Sequence, residues 1–369
     1  MEKRRVVFII HALHSGGAQR VIVNLLNNIS RDKFDIHLIV LKAEGSMLGD
    51  ISSDVIIHDL GNPSIRKVFF KFLKKIYGLK PHIVFSGIGH INGLLSPFIP
   101  ILNRLIPHKV YWVVRETSIA SIHIENDSNS WLYRFLYRNF YKNFNQIICQ
   151  SHYMKQDLIK SFNITKEKMV VINNPIDIVK VERLSFEKMR KDFDVNNINI
   201  LAVGALRKEK RFDLLLETFA RLDKNRYRLT IVGDGEMYSS LRELSLELGI
   251  EDEVSFTGQQ ANPYNYMKNA DILVLTSAYE GFPNVLLEAN SCGTPVLAFN
   301  APGGVSEIVK EGLNGYLVSY LDVNAMASTI LSFDAKRFDE EKIKSNVREN
   351  YALDVIIKKY EEALLRCTK

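Results

Sequence analysis

The stretch SAYEGFPNVLLEANSCG, residues 277–293, decides how the rest of the chain is interpreted. It follows an apolar segment, residues 270–275, which predicts a buried strand. Gly281 and Pro283 then turn the chain. Pro283 suits the first position of a helix, because the N–H group that proline lacks would have no partner there. We therefore predict a strand, a short turn and a helix from Pro283 to about Asn290.

Two glutamates flank the start of this predicted helix. Glu280 lies in the loop and Glu288 on the second helical turn, so both carboxylates can face the crevice at the carboxyl end of the strand, where open α/β sheets bind ligands. The backbone N–H groups of Asn284 and Val285 would form an anion site at the positive end of the helix dipole. Such a site suits a ligand with both hydroxyl and phosphate groups. The alternative is that both glutamates are simply solvated, as glutamates usually are.

The composition is that of an ordinary globular protein. Of its residues, 46% are hydrophobic and 24% are charged. A length of 369 residues is enough for two domains with separate cores. Its cysteines, Cys149, Cys292 and Cys367, are widely spaced, so neither a disulfide framework nor a zinc site is predicted. The apolar run near the N-terminus meets His11 too soon for a signal peptide, and no apolar segment reaches the roughly 18 residues that span a bilayer. We expect a cytoplasmic protein.

Charge is distributed unevenly along the chain. Residues 1–178 carry 23 lysines and arginines against 13 acidic residues, whereas the remainder carries 25 against 29. A basic half indicates a surface that meets anions, with nucleic acid and anionic lipid as candidates. Residues 64–80 predict a basic amphipathic helix, either packed on a sheet with a solvated lysine face or in contact with a membrane surface.

Two further segments bear on the choice between these partners. Residues 94–114 are apolar but broken by three prolines and Arg104, so they do not form a transmembrane helix, although they could dip into lipid. Residues 131–144 place Arg134, Arg138 and Lys142 between aromatic residues. Basic residues between aromatics could stack on bases, but aromatics at helical spacing favour a core position. We therefore expect no nucleic acid partner.

Strands and helices alternate along the chain, which predicts an α/β fold of doubly wound domains. Gly16 and Gly17 lie between the first strand and a helix at 18–29, where glycines either let a ligand approach the backbone or form a plain turn. A proline-containing connection at 173–182 is the predicted domain boundary. The predicted strands are 6–10, 34–41, 55–60, 83–86, 110–114, 147–151, 169–174, 200–203, 229–232, 254–258 and 270–275.

Residues 280–318, EGFPNVLLEANSCGTPVLAFNAPGGVSEIVKEGLNGYLV, closely resemble the signature region of the retaining glycosyltransferases with the two-domain GT-B fold, which is marked by two glutamates separated by seven residues. The resemblance is to the family 4 type of bacterial surface-polysaccharide enzymes. It implies two Rossmann-like domains facing across a cleft. Residues 1–178 would bind the acceptor, residues 179–350 would bind the nucleotide-sugar, and residues 351–369 would form a helix that crosses back to the first domain.

The resemblance also implies roles for individual residues. Glu288 would hold the ribose hydroxyls of the donor, Glu280 would lie against the transferred sugar, and Lys210 would grip the diphosphate. Ala205 stands where the family usually has an arginine, and Arg207 is our hypothesis for its substitute, so Glu280, Lys210 and Arg207 are the predicted catalytic residues. The predicted donor-binding residues are Gly16, Gly17, Gly204, Lys210, Gly258, Gly281, Phe282, Pro283, Asn284 and Glu288.

On the acceptor side the sequence departs from the family pattern. Many members have a histidine near the position of Thr117, which leaves His14, His90, Arg115 and Glu116 as the candidate acceptor-side residues. The implied mechanism is front-face attack, in which the departing phosphate oxygen takes the acceptor proton. The expected donor is a UDP-linked hexose or N-acetylhexosamine, although the sequence does not decide between uridine and guanosine. The expected acceptor is a lipid-linked or growing surface saccharide at the inner face of the membrane.

We expect no cofactor and no catalytic metal. The Asp-x-Asp match at Asp192 and Asp194 follows a charged helix predicted at 182–191, and we interpret it as a solvated turn. Two other functions remain possible. One is a nucleotide-sugar 2-epimerase of the same fold, which the paired glutamates disfavour, and the other is a non-catalytic saccharide-binding partner of an assembly complex.

Overall fold

The computed structural model describes residues 3–14, 16–62, 64–87, 89–187, 193 and 196–366, and the side chains of all of these except Ile65, Arg66 and His90. The chain divides into two compact units, one formed by residues 1–175 and 353–369 and the other by residues 176–352. Each unit has a hydrophobic core of its own.

The first unit is built on a parallel sheet. Within the described residues its strands are β1 Arg4–Ile10, β2 Phe34–Val40, β3 Ile56–Asp59, β4 Ile83–Ser86, β5 Tyr111–Arg115, β6 Gln146–Cys149 and β7 Met169–Val171. They lie in the order β3-β2-β1-β4-β5-β6-β7. The central strands read as continuous apolar runs because a parallel sheet is covered on both faces.

Helices connect these strands. They are α1 Gly17–Asn28, α2 Ile65–Leu79, α3 Gly89–Leu95, α4 Ile99–Leu105, α5 Ala120–Glu125, α6 Ser130–Phe140 and α7 His152–Phe162. Helix α1 shows how they pack, because it buries Val21, Ile22 and Leu25 at helical spacing against the sheet and leaves its polar residues outside.

The second unit repeats the same architecture. Within the described residues its strands are β8 Ile198–Val203, β9 Tyr227–Val232, β10 Val254–Phe256, β11 Ile272–Leu275, β12 Val296–Phe299 and β13 Gly315–Val318, all parallel and in the order β10-β9-β8-β11-β12-β13. Its helices are α8 Ile178–Ser185, α9 Phe212–Phe219, α10 Tyr238–Glu247, α11 Tyr264–Asn269, α12 Asn284–Ser291, α13 Val305–Ile308, α14 Val323–Leu331 and α15 Glu340–Tyr351.

The last helix, α16 Leu353–Arg366, belongs to the first unit. Its Ile356, Tyr360 and Leu364 recur every four residues, so they lie on one face of the helix, and they are buried in the same core as α1.

The strand order contains one reversal in each sheet. In the first unit the chain moves outward from β1 to β3 and then resumes on the other side of β1 with β4. In the second unit it moves outward from β8 to β10 and resumes beside β8 with β11. One topological switch point therefore lies between β1 and β4, and another lies between β8 and β11. Doubly wound sheets bind ligands at such points.

The predicted α/β class is confirmed, and each predicted strand occurs, most of them with shifted ends. The strand predicted at 169–174 ends at Val171, and the connection predicted at 173–182 contains the start of α8. The prediction of a charged helix at 182–191 was wrong about its start, because α8 begins at Ile178 and ends at Ser185. Asp192, Asp194 and Cys367 lie outside the described residues.

Several helices, α15 among them, and strands β12 and β13 were not predicted. Helix α15 buries Ile343, Val347 and Tyr351, which is a single apolar residue per turn in an otherwise charged segment. That pattern is too sparse to stand out by periodicity alone. Across the part of the chain that the structure describes, no helix combines the length and the apolar character needed to cross a bilayer.

Candidate functional site

The candidate site lies at the switch point of the second unit, where the loops after β8 and β11 meet. The backbone N–H of Ala278 donates to the carbonyl of Glu209 at 2.8 Å, and the Thr276 hydroxyl donates to the carbonyl of Lys210 at 3.0 Å. These bonds fasten the two loops to each other. They hold Lys210 and Glu280, which are 70 residues apart in sequence, side by side.

Glu280 receives two donors on a single carboxylate oxygen. Its Oε1 accepts from the Lys210 ammonium at 2.6 Å and from the Ser277 hydroxyl at 2.7 Å. The Glu280 side chain is 12% exposed and that of Lys210 is 26% exposed, so the pair is largely withdrawn from water. The structure thus brings together the residue predicted to meet the sugar and the residue predicted to meet the diphosphate.

A glycine segment fixes the backbone of Glu280 from the other side. The Glu280 N–H donates to the Pro302 carbonyl at 3.0 Å, and the Gly304 N–H donates to the Gly281 carbonyl at 3.1 Å. Gly303 has a φ of +120°, and a Cβ placed there would lie 1.5 Å from the Glu280 carbonyl oxygen. Only glycine allows the two segments to approach this closely.

The helix after the loop begins one residue later than predicted. Pro283 is the N-cap, with φ −76° and ψ 98°, and Asn284 is the first helical residue. The prediction that Pro283 opens the helix was wrong because its ψ is extended, although its carbonyl already accepts from the Leu286 N–H at 3.2 Å. Phe282 is buried beside the ring of Tyr351 at a centroid distance of 5.9 Å, which anchors the turn in the core.

Glu288 lies on the second turn of α12, as predicted. Its Oε1 is 3.5 Å from the hydroxyl of Tyr264 on α11, a long hydrogen bond. This contact links the Glu288 carboxylate to a neighbouring helix.

The other glycines predicted to bind the donor lie in neighbouring loops of the second unit. The Gly204 N–H donates to the Val232 carbonyl at 3.0 Å, and the Gly233 N–H donates to the Gly258 carbonyl at 2.9 Å. At Gly233, whose φ is +148°, a Cβ would lie 1.9 Å from the Gly204 carbonyl oxygen. The loops after β8, β9 and β10 are thus packed backbone to backbone.

Arg207 occupies a different position from Lys210. It lines a cavity of about 280 Å³ together with Lys208, Arg211 and side chains of α9 and α10, and neither Lys210 nor Glu280 lines that cavity. Ala205 is exposed at the start of the same loop. Among the described residues, no hydrogen bond or ion pair joins Arg207 to Glu280, whose carboxylate pairs with Lys210 instead.

The glycines of the first unit lie at the start of α1. Gly16 is the N-cap with extended backbone, and Gly17 is the first helical residue. A side chain at Gly16 would first meet the flexible end of Gln19. Nearby, His14 is exposed with its Nε2 3.8 Å from the carboxylate of Glu44.

Of the remaining acceptor-side candidates, His90 lies in α3, and its side chain is outside the described residues. Arg115 and Glu116 are almost wholly buried at the end of β5. The Arg115 guanidinium donates to the Tyr360 hydroxyl at 3.1 Å and to Asn174 Oδ1 at 2.6 Å. Its Nη1 is buried and has no hydrogen-bond partner among the described residues.

Glu116 lies in a closed polar cluster. It accepts from Asn92 Nδ2 and from the Tyr137 hydroxyl, both at 3.2 Å, and from the hydroxyl of Tyr141. Burial raises the pKa of Glu116 above its ordinary value, and burial beside this carboxyl raises the pKa values of Tyr137 and Tyr141 well above theirs. Arg115 and Glu116 therefore belong to the interior of the first unit.

Sequence reasoning did not predict Ser277, Tyr264 or Gly303 as parts of the site. Ser277 lies three residues before Glu280, and its hydroxyl turns back onto that carboxylate. Tyr264 comes from another helix, so no local spacing relates it to Glu288. For Gly303 a signal existed, because paired glycines after a proline at 302–304 are typical of a tight approach between backbones.

Two family models match the chain, one on each half. The family described as Glycosyltransferase Family 4 matches residues 15–180, and the family described as Glycosyl transferases group 1 matches residues 185–350.

Similar proteins match over nearly the whole length. The N-acetylgalactosamine-N,N'-diacetylbacillosaminyl-diphospho-undecaprenol 4-alpha-N-acetylgalactosaminyltransferase of Campylobacter jejuni is 28% identical over 362 residues, covering 90% of this chain and 95% of the relative. The amylovoran biosynthesis glycosyltransferase AmsD of Erwinia amylovora is 24% identical, covering 95% and 96%. The crystal structure of Anabaena Alr3699/HepE in complex with UDP-glucose has a TM-score of 0.79 at 19% identity, covering 98% and 99%.

Proposed function

The chain belongs to the GT-B glycosyltransferases that join a Glycosyltransferase Family 4 domain to a Glycosyl transferases group 1 domain, and we propose that it is a retaining hexosyltransferase. In this proposal it moves a hexose or N-acetylhexosamine from a UDP-sugar to a lipid-linked or growing surface saccharide. The observation that carries the proposal is the cluster of Lys210, Ser277 and Glu280 at a topological switch point, directly before the N-terminus of α12.

The choice of donor is supported by the structural neighbour and by the chemistry of the cluster. The neighbour from Anabaena was crystallised with UDP-glucose, and the present chain shares its fold. A lysine beside a helix N-terminus suits a diphosphate, because both place positive charge where the phosphate oxygens would lie. Glu288 on the next turn of α12 is assigned to the ribose hydroxyls, with Tyr264 orienting its carboxylate.

The proposed reaction places both changes of bond on one face of the sugar. The bond between the anomeric carbon and the phosphate oxygen breaks, the acceptor oxygen bonds to that carbon on the same face, and the acceptor proton passes to the departing phosphate oxygen. Negative charge then grows on the diphosphate while positive charge grows on the sugar ring. Lys210 and the first N–H groups of α12 stabilise the former, and this stabilisation is greater in the transition state than in the ground state.

Glu280 has a separate task in this scheme. Its Oε1 is already occupied by Lys210 and Ser277, so Oε2 is the oxygen assigned to the sugar hydroxyls or the ring cation. An ammonium has three donors, which allows Lys210 to hold Glu280 and a phosphate oxygen together. The proposed mechanism uses no metal ion and no cofactor.

The proposed acceptor is lipid-linked, and the proposed place of work is the inner face of the membrane. The Campylobacter relative is named for a diphospho-undecaprenol substrate, and the N-terminal half of the present chain is basic. On α2 the lysines predicted to meet a membrane remain at the surface, because the helix buries Val68, Phe72 and Ile76 instead.

The test is to incubate the purified protein with a panel of UDP-sugars and to follow UDP release, with and without polyprenyl-diphosphate saccharides. Nuclear magnetic resonance then reports the anomeric configuration of the new linkage. We expect one UDP-sugar to be used and an α-linked donor to give an α-linked product. Inversion at the anomeric carbon would refute the retaining mechanism, and epimerisation of the nucleotide-sugar without transfer would refute the transferase.

A further inference from the structure

The first unit carries a line of apolar side chains that point outward. Phe98 ends a short 3₁₀ turn, Ser96–Phe98, and Ile101 and Leu105 follow on α4 at spacings of three and four residues, so the three share one face. They are 38%, 55% and 60% exposed. The opposite face of the same segment supplies the core, through Ile99, Leu102 and Ile106.

Helix α2 extends this line. The ring of Phe69 lies 4.7 Å from that of Phe98, and Phe70 follows at 6.0 Å from Phe69 between ring centroids. Phe70 is 84% exposed. We call Phe70, Phe98, Ile101 and Leu105 the apolar ridge. The exposed parts of these four side chains do not pack in the core. Their contact with water is unfavourable, and the packing of the fold does not offset it.

The segment that carries the ridge contains charges of a single sign. Residues 60–115 contain nine lysines and arginines, of which Arg115 is buried, and no aspartate or glutamate. Lys67 and Lys74 are exposed on α2, and Arg104 is exposed on α4 next to Leu105 in sequence. Apolar and aromatic side chains flanked by cations are the combination that binds the boundary between lipid headgroups and acyl chains, typically about 5–10 Å deep.

We propose that the apolar ridge inserts into an anionic lipid bilayer while the surrounding lysines and arginines contact the headgroups. The inference rests on the proposed function, since a lipid-linked acceptor would be met at such a surface. It adds the apolar contact itself, which the lysine face of α2 does not provide. A second copy of the chain fits the ridge poorly, because a symmetric contact would press two uniformly basic segments together.

The test compares vesicle binding of the full-length protein with that of matched variants. The ridge variant is Ile101→Ser with Leu105→Ser. The control variant is Leu246→Ser with Leu331→Ser, which changes two leucines of the second unit that are 57% and 53% exposed. The charge variant is Lys67→Glu with Lys74→Glu. Each protein is floated with vesicles of phosphatidylglycerol and phosphatidylcholine in about 0.1 M and about 1 M sodium chloride, which shortens the screening length from about 10 Å to about 3 Å.

We expect the ridge variant to partition about tenfold less than the wild type at both salt concentrations, since even partial burial of two such side chains is worth that factor. The control variant should bind like the wild type. The charge variant should lose binding at low salt and resemble the wild type at high salt. Equal binding of ridge and control variants would overturn the proposal. So would a wild-type dimer, without lipid, that the ridge variant abolishes.

A second readout separates this proposal from the proposed function. The thermal shift produced by UDP should be the same in the wild type, the ridge variant and the control variant, because none of the substituted residues belongs to the Glu280 cluster. A normal UDP shift with ridge-independent vesicle binding would overturn the ridge alone. Ridge-dependent vesicle binding without any UDP shift would leave the ridge in place and contradict the UDP donor.

Discussion

The Lys210 ammonium and the Ser277 hydroxyl both donate to Oε1 of Glu280. Removing the uncharged donor, Ser277, tests how far the position of the carboxylate matters. Ser277 is 1% exposed and has no charge, so we treat it as a positioning residue that fixes the carboxylate. We expect Ser277→Ala to lower kcat about tenfold, the typical worth of a hydrogen bond to a charged group, while the dissociation constant of UDP stays unchanged. Ser277→Thr, which keeps the hydroxyl, should recover part of the loss. A variant with normal kcat, or one in which UDP affinity falls as far as kcat, would contradict the role.

Glu288 is expected to act on binding instead. Replacing its carboxylate in Glu288→Gln removes charge-assisted hydrogen bonds to the ribose, each worth roughly 1.5–3 kcal/mol, so donor affinity should fall by about one to two decades. Calorimetric titration with UDP measures this. Tyr264→Phe, which removes the long hydrogen bond to Glu288 and keeps the carboxylate, should have a smaller effect. Undiminished UDP affinity in Glu288→Gln would remove the ribose assignment.

The buried carboxyl of Glu116 predicts a pH dependence of stability. Burial raises its pKa in the folded state above the ordinary value of 4.5, so the folded protein holds the proton more tightly than the unfolded chain. The stability that this provides is complete below the ordinary pKa and is lost as the pH rises through the raised pKa. Glu116→Gln, which resembles the protonated form at every pH, should therefore gain in melting temperature relative to the wild type as the pH rises. If the melting temperature of the wild type instead rises relative to that of the variant over the same pH range, the pKa of Glu116 is lowered in the folded state.

At the scale of elements, the loop that carries Glu280 depends on a close approach to Gly303. Both Gly303 and Gly312 have a positive φ, but a Cβ at Gly312 would meet nothing within 4 Å, whereas one at Gly303 would lie 1.5 Å from the Glu280 carbonyl oxygen. We expect Gly312→Ala to cost about 1–2 kcal/mol, the usual price of a left-handed residue, and to lower Tm by several degrees. Gly303→Ala should lower Tm further and also reduce activity. Equal decreases in Tm for both variants would mean that the backbone moves to relieve the contact between residue 303 and the Glu280 carbonyl without further loss of stability.

Element positions were predictable where apolar periodicity is strong and failed where it is weak. Strand β11 and helix α12 were predicted within one or two residues, because an apolar run, a Gly-Phe-Pro turn and a helical pattern follow one another. The start of α12 was misplaced by one residue because backbone ψ at Pro283 is not encoded in proline's fixed φ. Helix α15 was missed because one apolar residue per turn carries little signal.

At the scale of the whole molecule, the order of strands explains which predicted residues could meet. A switch point lies between β8 and β11, and it places the loop of Lys210 beside the loop of Glu280, although the two residues are 70 positions apart in sequence. The sequence could not reveal that Arg207 would line a cavity that Lys210 does not line, because three residues along a loop are enough to reverse the direction of a side chain. Nor could it reveal the burial of Arg115 and Glu116, which charge alone would place at the surface.

The measurement that tests the central claim most directly is the rate of UDP release from the UDP-sugar in excess EDTA, for the wild type and for Lys210→Ala. If Lys210 and the start of α12 supply the positive charge at the diphosphate, wild-type activity should persist in EDTA. Removing one such donor typically costs about 10²–10³ in rate, so Lys210→Ala should fall by that factor, and added magnesium should not restore it. An enzyme silenced by EDTA and restored by magnesium, with Lys210→Ala nearly normal, would contradict the account.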